Sequence, residues 1–395
     1  MYQGANRLKE VQPSKIRLTT SRANELAMQG KDVIRFSTGE PNFNTPSLIK
    51  QATIQAIEDN YTHYGSNAGD LNLKKEIAKN VKVHTGVDYD PDQEILITSG
   101  GSEAINHVML ALVNPGDEVI VLTPAFLSYE NMVHMSEGKF IEIPLKSENQ
   151  FQLDLEAIEK AITNKTKMIV INNPCNPTGA LYPREDLEKL SQIIIKNDLY
   201  VFSDEIYNQL VYDHREVVSL ASFPNMKERT IMMNGFSKTY AMTGWRLAYM
   251  CAPKAIIQDL LKVHQYATTC APTFIQVGLA KSMNQEQTLL EVKQMIQTFN
   301  QRRLKVKQAL QEMKLDFVEP EGAFYFFIDV SSTPIDGETF SKRLLEEEYV
   351  AVIPGNAFGS MCKNNVRLSY AASDEDIERG MLRMKRFVDK IRKGG

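Results

Sequence analysis

The chain has 395 residues, of which 43% are hydrophobic, so it is long enough for two domains with apolar cores. Its formal net charge of -4 excludes a strongly basic nucleic-acid-binding protein. No apolar run reaches the ~18 residues that a membrane helix requires, and the amino-terminal residues contain no apolar signal segment, so we expect a cytoplasmic protein without a membrane anchor.

The cysteines and histidines indicate no metal site. Cys175, Cys251, Cys270 and Cys362 are far apart, and no cluster of Cys or His has the spacing of metal ligands. We therefore expect free thiols, no disulfide framework and no bound metal.

The first part of the chain contains one candidate ligand-binding turn. A helix is predicted at residues 22–29 and an extended segment at 32–36. In the turn that follows, Gly39 either leaves space for an approaching ligand or only permits the turn. An amphipathic helix at 46–59 precedes Tyr64, and a lone tyrosine at such a place is commonly half-buried in a core.

A candidate anion site follows the apolar strand predicted at residues 94–98. Gly100, Gly101 and Ser102 form a glycine-rich turn, after which apolar residues recur at helical spacing. The free N–H groups of such a turn and the dipole of the following helix both favour a phosphate. The turn lacks the lysine of a P-loop and does not read GxGxxG, so a plain strand-to-helix turn is the competing interpretation.

Three further strands each end at a candidate side chain. Phe126 follows the strand at 118–122 and is either a core residue or a flat surface for an aromatic ligand. Asn176 follows the strand at 168–171, in a rigid turn that leaves its amide free to donate to an oxygen. Asp204 follows the strand at 199–203, where a buried carboxylate is costly without a cation. Asp204 therefore either binds a cationic ligand group or caps a helix.

A lysine and an arginine lie in the connection between the apolar strands predicted at 230–233 and 247–252. Lys238 is surrounded by small and polar residues, and Arg246 is eight positions further on. A lysine acts as a nucleophilic amine only where burial or neighbouring cations lower its pKa. Two solvated charges on a β-turn are the competing interpretation.

The order of these elements predicts the fold class and one site. Apolar strands alternate with helices, a pattern typical of an α/β protein with a parallel sheet covered on both faces. Ligands of such sheets bind beyond the carboxyl ends of the strands. The sequence therefore predicts that the five candidates that follow strands lie at one edge of the sheet: Gly100, Phe126, Asn176, Asp204 and Lys238.

The last third of the chain indicates a second, smaller domain. A loop at 267–273 lies near a predicted subunit boundary, and a long helix at 287–313 leaves the large domain. A strand at 323–329, a helix at 337–348 and an apolar segment at 350–355 follow. Arg367 alternates with apolar neighbours, so it points inward and either binds an anion or forms a structural salt bridge. We expect a large domain at 46–286 and a small domain formed by 1–45 and 287–395.

Four stretches of the sequence resemble the signatures of class I, fold-type I pyridoxal-phosphate aminotransferases. In the lysine signature, at residues 235–248, Gly-Phe-Ser precedes the lysine and Gly-Trp-Arg-Leu-Ala follows it. The others are Asn-Pro-Cys-Asn-Pro-Thr-Gly at 173–179, Asp-Glu-Ile-Tyr at 204–207 and Asn-Val-Arg-Leu-Ser at 365–369. The resemblance covers residues 36–367 and is greatest to the branch that contains aspartate, aromatic and kynurenine aminotransferases.

This resemblance implies an α/β fold-type I transferase with a mostly parallel central sheet, a smaller α+β domain, and pyridoxal phosphate as the cofactor. It implies that Lys238 binds the cofactor covalently and moves a proton, that Asp204 keeps the ring nitrogen protonated, and that Tyr207 contacts the 3′ oxygen. The other implied cofactor contacts are Gly100, Gly101, Ser102, Phe126, Asn176, Ser237 and Arg246. Tyr64 would reach the phosphate of the other subunit, which implies a homodimer with shared active sites. The implied substrate contacts are Gly39, Asn176 and Arg367.

The implied activity is transfer of the amino group of an L-amino acid, such as aspartate or an aromatic amino acid, to a 2-oxo acid such as 2-oxoglutarate, by ping-pong kinetics. Ser102 stands where some aspartate-specific members carry a lysine, which weakens aspartate as the donor. Two alternatives stay open: a Cys-S β-lyase, because proton placement decides between transfer and elimination, and a non-catalytic regulatory domain. The regulator would need a DNA-binding extension, for which the residues before Gly39 leave little room.

Overall fold

The candidate residues lie along one edge of a seven-stranded sheet in a computed structural model that describes residues 4–394. The strands, in chain order, are β1 (Ile34–Arg35), β2 (Ile95–Thr98), β3 (Glu118–Thr123), β4 (Lys139–Pro144), β5 (Thr166–Asn172), β6 (Tyr200–Asp204), β7 (Thr230–Gly235), β8 (Ala248–Cys251), β9 (Asp316–Phe317), β10 (Tyr325–Asp329), β11 (Val350–Ala351), β12 (Ile353–Pro354) and β13 (Asn365–Ser369).

The α-helices, in chain order, are α1 (Lys15–Met28), α2 (Ser47–Glu58), α3 (Leu71–Thr85), α4 (Gly101–Leu112), α5 (Ser128–Met135), α6 (Leu155–Ala161), α7 (Arg184–Lys196), α8 (Phe236–Thr239), α9 (Lys254–Ala267), α10 (Thr273–Ser282), α11 (Glu286–Glu312), α12 (Gly337–Glu348) and α13 (Asp374–Arg392). None of these described helices combines the length and the apolar character needed to cross a bilayer.

The large sheet has the strand order β2-β8-β7-β6-β5-β3-β4, and every strand except β8 runs in the same direction. Strands β2, β3, β7 and β8 are buried along their whole length, because helices cover both faces of the sheet. The reversal of β8 follows from its short connection to β7, in which Gly235 pairs directly with Ala248. The prediction of a mostly parallel sheet covered by helices is confirmed.

A second, antiparallel sheet has the order β12-β13-β10-β9, and a separate parallel pair joins β1 to β11. In this sheet Phe327 pairs with Arg367, and Tyr325, two residues before Phe327, lies on the same face. The amphipathic helices α12 and α13 pack against each other and carry part of this region's core, which includes Phe340 and Phe387. This sheet places Arg367 and Tyr325 opposite the edge of the large sheet.

Several elements differ from their predicted extents. Helix α1 begins at Lys15, seven residues before the predicted start, because the Ser14 side chain caps it by accepting from the N–H of Arg17. Lys238 lies on the four-residue helix α8 rather than in an open loop. The strand β4 and the helices α5, α6 and α13 were not predicted.

Candidate active site

A cavity of about 330 Å³ lies where the carboxyl ends of the parallel strands face the antiparallel sheet. Eleven of the predicted site residues line it: Gly39, Gly101, Ser102, Phe126, Asn176, Asp204, Tyr207, Ser237, Lys238, Arg246 and Arg367. The structure therefore brings together residues that are more than 300 positions apart in the chain. Two predicted residues, Gly100 and Tyr64, do not line the cavity.

Gly100 lies directly behind the lining, against Arg246. Its backbone has φ +93°, and a Cβ at this position would lie 2.6 Å from Nη2 of Arg246. Arg246 itself has φ +56° and donates through Nη1 to the carbonyl of Thr243. Arg246 and the first residues of α4 thus line the cavity together, and a guanidinium beside a helix N-terminus is an arrangement that binds a phosphate.

Tyr64 is not brought to the cavity of its own chain. Its side chain is 86% exposed. The preceding residue is held by a hydrogen bond of 2.6 Å from the Thr273 hydroxyl to the carbonyl of His63. An interpretation of Tyr64 as a half-buried core residue is therefore wrong, because its side chain is exposed.

Lys238 presents its amine to the cavity from α8. Its Nζ donates to the carbonyl of Gly39 at 2.5 Å and lies 5.9 Å from the ring centre of Tyr207. Burial lowers the pKa of Lys238 to about 8, and the charge of Arg367 acts in the same direction while that of Glu40 opposes it. The site therefore holds an amine that is partly unprotonated near neutral pH, as the sequence interpretation requires.

Asp204 is a buried carboxylate at the end of β6, only 4% exposed. The Tyr129 hydroxyl donates to Oδ2 at 2.6 Å, and the N–H of Ile206 donates to Oδ1 at 3.1 Å. Burial raises the pKa of Asp204 to about 6, against these two hydrogen bonds and the charge of Lys238. Since no arginine or lysine of the described chain forms an ion pair with it, the carboxylate favours a cationic ligand group.

Arg367 is a buried cation without a carboxylate partner in the described part of the chain. It is 2% exposed, donates through Nη1 to Oδ1 of Asn176 at 3.0 Å, and donates through Nη2 to the carbonyl of Ser37 at 2.9 Å. Its guanidinium lies 4.5 Å from the ring centre of Tyr325, and its Nε has no hydrogen-bond partner. A buried guanidinium in neutral surroundings favours an anion, so the salt-bridge interpretation of Arg367 is wrong.

Asn176 and Tyr207 supply neutral donors beside these charges. The carbonyl oxygen of Asn176 is taken by Arg367, and its backbone N–H donates to Oδ1 of Asn172, which leaves its side-chain N–H groups for a ligand. The hydroxyls of Tyr207 and Tyr325 lie 2.9 Å apart, so one donates to the other and the remaining proton can face the cavity.

The sequence interpretation missed ten lining residues, among them Tyr129, Tyr325, Glu40 and Ile16. Tyr129 lies three positions after Phe126, a helical spacing that could have indicated a shared face. Tyr325 could have been found from the strand alternation that pairs its neighbour Phe327 with Arg367. Glu40 accepts from the Thr243 hydroxyl at 2.6 Å, and no pattern in the sequence indicates this contact.

These residues fit pyridoxal phosphate, a group with an anionic phosphate, an aldehyde and a pyridine nitrogen. The glycine turn and Arg246 leave space and positive charge for a phosphate, because a side chain at Gly100 would displace the guanidinium. The uncompensated Asp204 suits a protonated ring nitrogen, and the amine of Lys238 suits an aldehyde. The orphaned Nε of Arg367 leaves a donor for a substrate carboxylate.

Comparison with known proteins gives a consistent result. The model of the family "Aminotransferase class I and II" matches residues 31–383. The chain is 41% identical to an aspartate aminotransferase of Pyrococcus abyssi, over 97% of this chain and 98% of the other. It is 39% identical to aromatic-amino-acid aminotransferase 2 of Thermococcus litoralis, again over 97% and 98%.

Comparison with solved structures agrees with this result. The aspartate aminotransferase from Thermus thermophilus with maleate is 36% identical and superposes with a TM-score of 0.93, over 98% of this chain and all of the other. The aromatic aminotransferase from Pyrococcus horikoshii is 40% identical, with a TM-score of 0.89 over 93% and 99% of the two chains.

Proposed function

Because this chain belongs to the class I and II aminotransferase family, we propose that the cavity around Lys238 is its active site and that aspartate or an aromatic amino acid is the donor. The protein is a pyridoxal-phosphate-dependent aminotransferase, which moves the amino group of an amino acid to a 2-oxo acid. The order of reaction is ping-pong, with the amino acid and the 2-oxo acid using one site in turn.

Pyridoxal phosphate, when bound, supplies an aldehyde that accepts the amino group and a ring that takes up the electron pair left at the substrate Cα. Lys238 holds and moves the proton at its Nζ, because a pKa of about 8 lets the amine accept and release it near neutral pH. Asp204 keeps a proton on the ring nitrogen through its buried negative charge. Tyr207, Asn176 and Phe126 line the cavity, where the first two would hold the cofactor through its 3′ oxygen and Phe126 would hold its ring.

Arg367 orients the substrate by binding its α-carboxylate. The observation that carries this assignment is a guanidinium 2% exposed whose hydrogen-bond acceptors are all neutral. Gly39 lies beside it, since a Cβ there would be 3.9 Å from Nη2. The carboxylate therefore enters between Arg367 and the turn at Gly39. The phosphate binds at the end of the cavity that is lined by Gly101, Ser102, Ser237 and Arg246.

The assembly is a homodimer in which Tyr64 contacts the phosphate bound by the partner. The support is its 86% exposure at a place held against Thr273, the first residue of α10. The large domain comprises residues 46–286, which contain the whole seven-stranded sheet, and the small domain comprises 1–45 and 287–395, which are joined by the pairing of β1 with β11. Residues 1–3 and 395 of these ranges lie outside the described residues. The cytoplasmic location stays a prediction.

The test is the absorption spectrum of the purified enzyme while single amino acids are added without any 2-oxo acid. The donor should shift a band near ~420 nm to near ~330 nm, as the cofactor passes from its aldehyde to its amino form. Aspartate and the aromatic amino acids should give the largest shifts. If no amino acid shifts the band, or if cysteine derivatives instead release pyruvate and ammonia, the proposed activity is wrong.

A further inference from the structure

A buried cluster of one carboxylate and two imidazoles lies beneath the glycine turn, outside the cavity. Glu103 and His107 are one turn apart on α4, and His264 lies near the end of α9, which packs against α4. Both histidines are completely buried, and the side chain of Glu103 is 11% exposed. The proposed chemistry uses none of the three.

The cluster has the geometry of a set of metal ligands. Nε2 of His107 lies 2.9 Å from Oε1 of Glu103, and Nδ1 of His264 lies 3.1 Å from the same oxygen. The three ligand atoms all lie within 4.8 Å of one another. Tetrahedral zinc with bonds of about 2.0–2.1 Å places its ligand atoms about 3.3 Å apart. A small outward movement of the side chains would therefore admit the ion.

His107 lacks the hydrogen bonds that a buried imidazole requires. Its Nε2 is close to Oε1 of Glu103 but does not have hydrogen-bond geometry toward it, and its Nδ1 has no partner either. Buried polar atoms are nearly always paired, and an unpaired one costs about 1–3 kcal/mol. A metal ion between His107 and Glu103 would satisfy Nε2, because a metal binds the lone pair of a neutral imidazole directly.

The charge at this position also favours a cation. Within the described residues, Glu103 forms no salt bridge with a lysine or an arginine, and the only basic side chains beside it are His107 and His264. Its Oε2 accepts from the N–H of Ser99, so a negative charge lies just behind the turn that binds the phosphate. Like charges at such a distance repel, whereas a divalent ion on Glu103 would make this local charge positive.

We propose that Glu103, His107 and His264 bind one divalent transition-metal ion of the zinc type, with the Thr268 hydroxyl or water as a further ligand. Two imidazoles and one carboxylate form a ligand set that zinc uses. The Thr268 hydroxyl already contacts Oε1 of Glu103. The sequence did not predict this site, because His264 is far from the other two residues in the chain and only the packing of α9 on α4 joins them.

The test measures metal content and not turnover, so it is independent of the proposed function. The purified, cofactor-loaded protein is treated with a chelator, dialysed, incubated with Zn²⁺ alone and passed through a desalting column before elemental analysis. We expect about one zinc per chain. Co²⁺ in place of Zn²⁺ should give visible absorption bands at wavelengths longer than the cofactor band. A protein that retains no zinc at roughly micromolar free ion holds only a hydrogen-bonded cluster, which would overturn the proposal.

Two variants locate the ion. His107→Leu should lower the zinc affinity at least about 10-fold, since even a residue that only supports a ligand costs that much. His134→Gln is the matched control. His134 lies on α5, where its ring is close to the carboxylates of Glu10 and Glu130 and away from the cluster. Equal zinc binding by wild type and His107→Leu would overturn the proposal. If His107→Leu does not fold, the cobalt spectrum of the wild type still decides, because protein ligands to Co²⁺ give bands that the hydrated ion lacks.

Discussion

The Tyr129 hydroxyl donates to Oδ2 of Asp204 over 2.6 Å in a fully buried contact. This hydrogen bond links helix α5 to the end of strand β6. It fixes the carboxylate but does not neutralise it, and it opposes the effect of burial on the pKa of Asp204. Tyr129 is therefore a positioning residue for the group that we expect to face the ring nitrogen.

Tyr129→Phe should move the acid limb of the activity profile to higher pH. Without the hydroxyl, burial acts on Asp204 with less opposition, so its pKa rises above about 6 and the carboxylate is protonated at a higher pH. We expect a several-fold loss of kcat/KM near pH 6 that largely disappears at pH 8.5. The measurement is kcat/KM from pH 5.5 to 8.5, with Tyr200→Phe as control. An unchanged acid limb would show that Tyr129 does not act through Asp204.

Asp204→Asn should stabilise the cofactor-free protein while it impairs catalysis. The folded pKa of Asp204 is about 6 against an ordinary value of 3.8, so stability falls as the pH rises from about 4 to 6 and stays reduced above that range. A shift of about two units corresponds to about 3 kcal/mol at pH 8. Urea unfolding of the cofactor-free variant should show a gain of about 2–3 kcal/mol at pH 8 and a smaller gain at pH 5. An equal gain at both pH values would contradict the charge argument.

Lys238→Ala should abolish the visible band of the bound cofactor and lower turnover by at least about 10³-fold, because no other amine of residues 4–394 lines the cavity. Lys189→Ala is a matched control, since Lys189 is an exposed residue of α7 that pairs with Asp186. The spectrum and kcat of both variants are the measurements. Retained turnover in Lys238→Ala would refute the assignment of the catalytic amine.

Arg367→Lys should raise KM for the amino acid and leave cofactor binding unchanged. Lysine keeps the charge but loses the planar fork that contacts Asn176 and Ser37 and that leaves Nε without a partner. The loss of one charge-assisted hydrogen bond, about 1.5–3 kcal/mol, lowers kcat/KM by about 10- to 150-fold. Steady-state kinetics with a cofactor titration measure both quantities. Weaker cofactor binding with an unchanged KM would show that Arg367 contacts the cofactor and not the substrate carboxylate.

Gly100→Ala should weaken cofactor binding at least about 10-fold, because its φ of +93° disfavours a side chain and the new Cβ would displace the Arg246 guanidinium. Gly116→Ala is the control, since Gly116 has φ +84° but open space around it. It should lose a similar amount of stability without losing cofactor affinity. The two cofactor dissociation constants decide, and equal values would mean that the clash with Arg246 has no effect.

The sequence predicted the large sheet well because its strands are short apolar runs between helices. The carboxyl-end rule then placed Phe126, Asn176, Asp204 and Lys238 at one cavity before any contact was known. It could not predict the reversal of β8, which depends on the pairing of Gly235 with Ala248. Periodicity also missed the start of α1, since Lys15, Ile16, Arg17 and Leu18 alternate polar and apolar residues instead of repeating at helical spacing.

The contacts between distant segments could not be predicted from the sequence. The acceptors of Arg367 lie 191 and 330 positions away in the chain, and nothing local indicates that both are neutral oxygens. The same holds for Glu103, His107 and His264, whose association depends on two helices packing together. Burial and pairing of charges are properties of the folded chain, and a pattern in the sequence indicates only which face a residue occupies.

The pairing of Gly235 with Ala248 constrains the spacing between two groups of the active site. The connection between these residues leaves the sheet and returns to the same edge, and it carries both Lys238 and Arg246. The spacing between the amine and the phosphate-binding cation is therefore set within a single tethered segment and does not depend on how the two sheets approach each other. A change at Ile16, which reaches the cavity from the amino-terminal segment, can alter the pocket without changing this spacing. The fold thus separates the part that positions the chemistry from the part that is free to vary with the substrate.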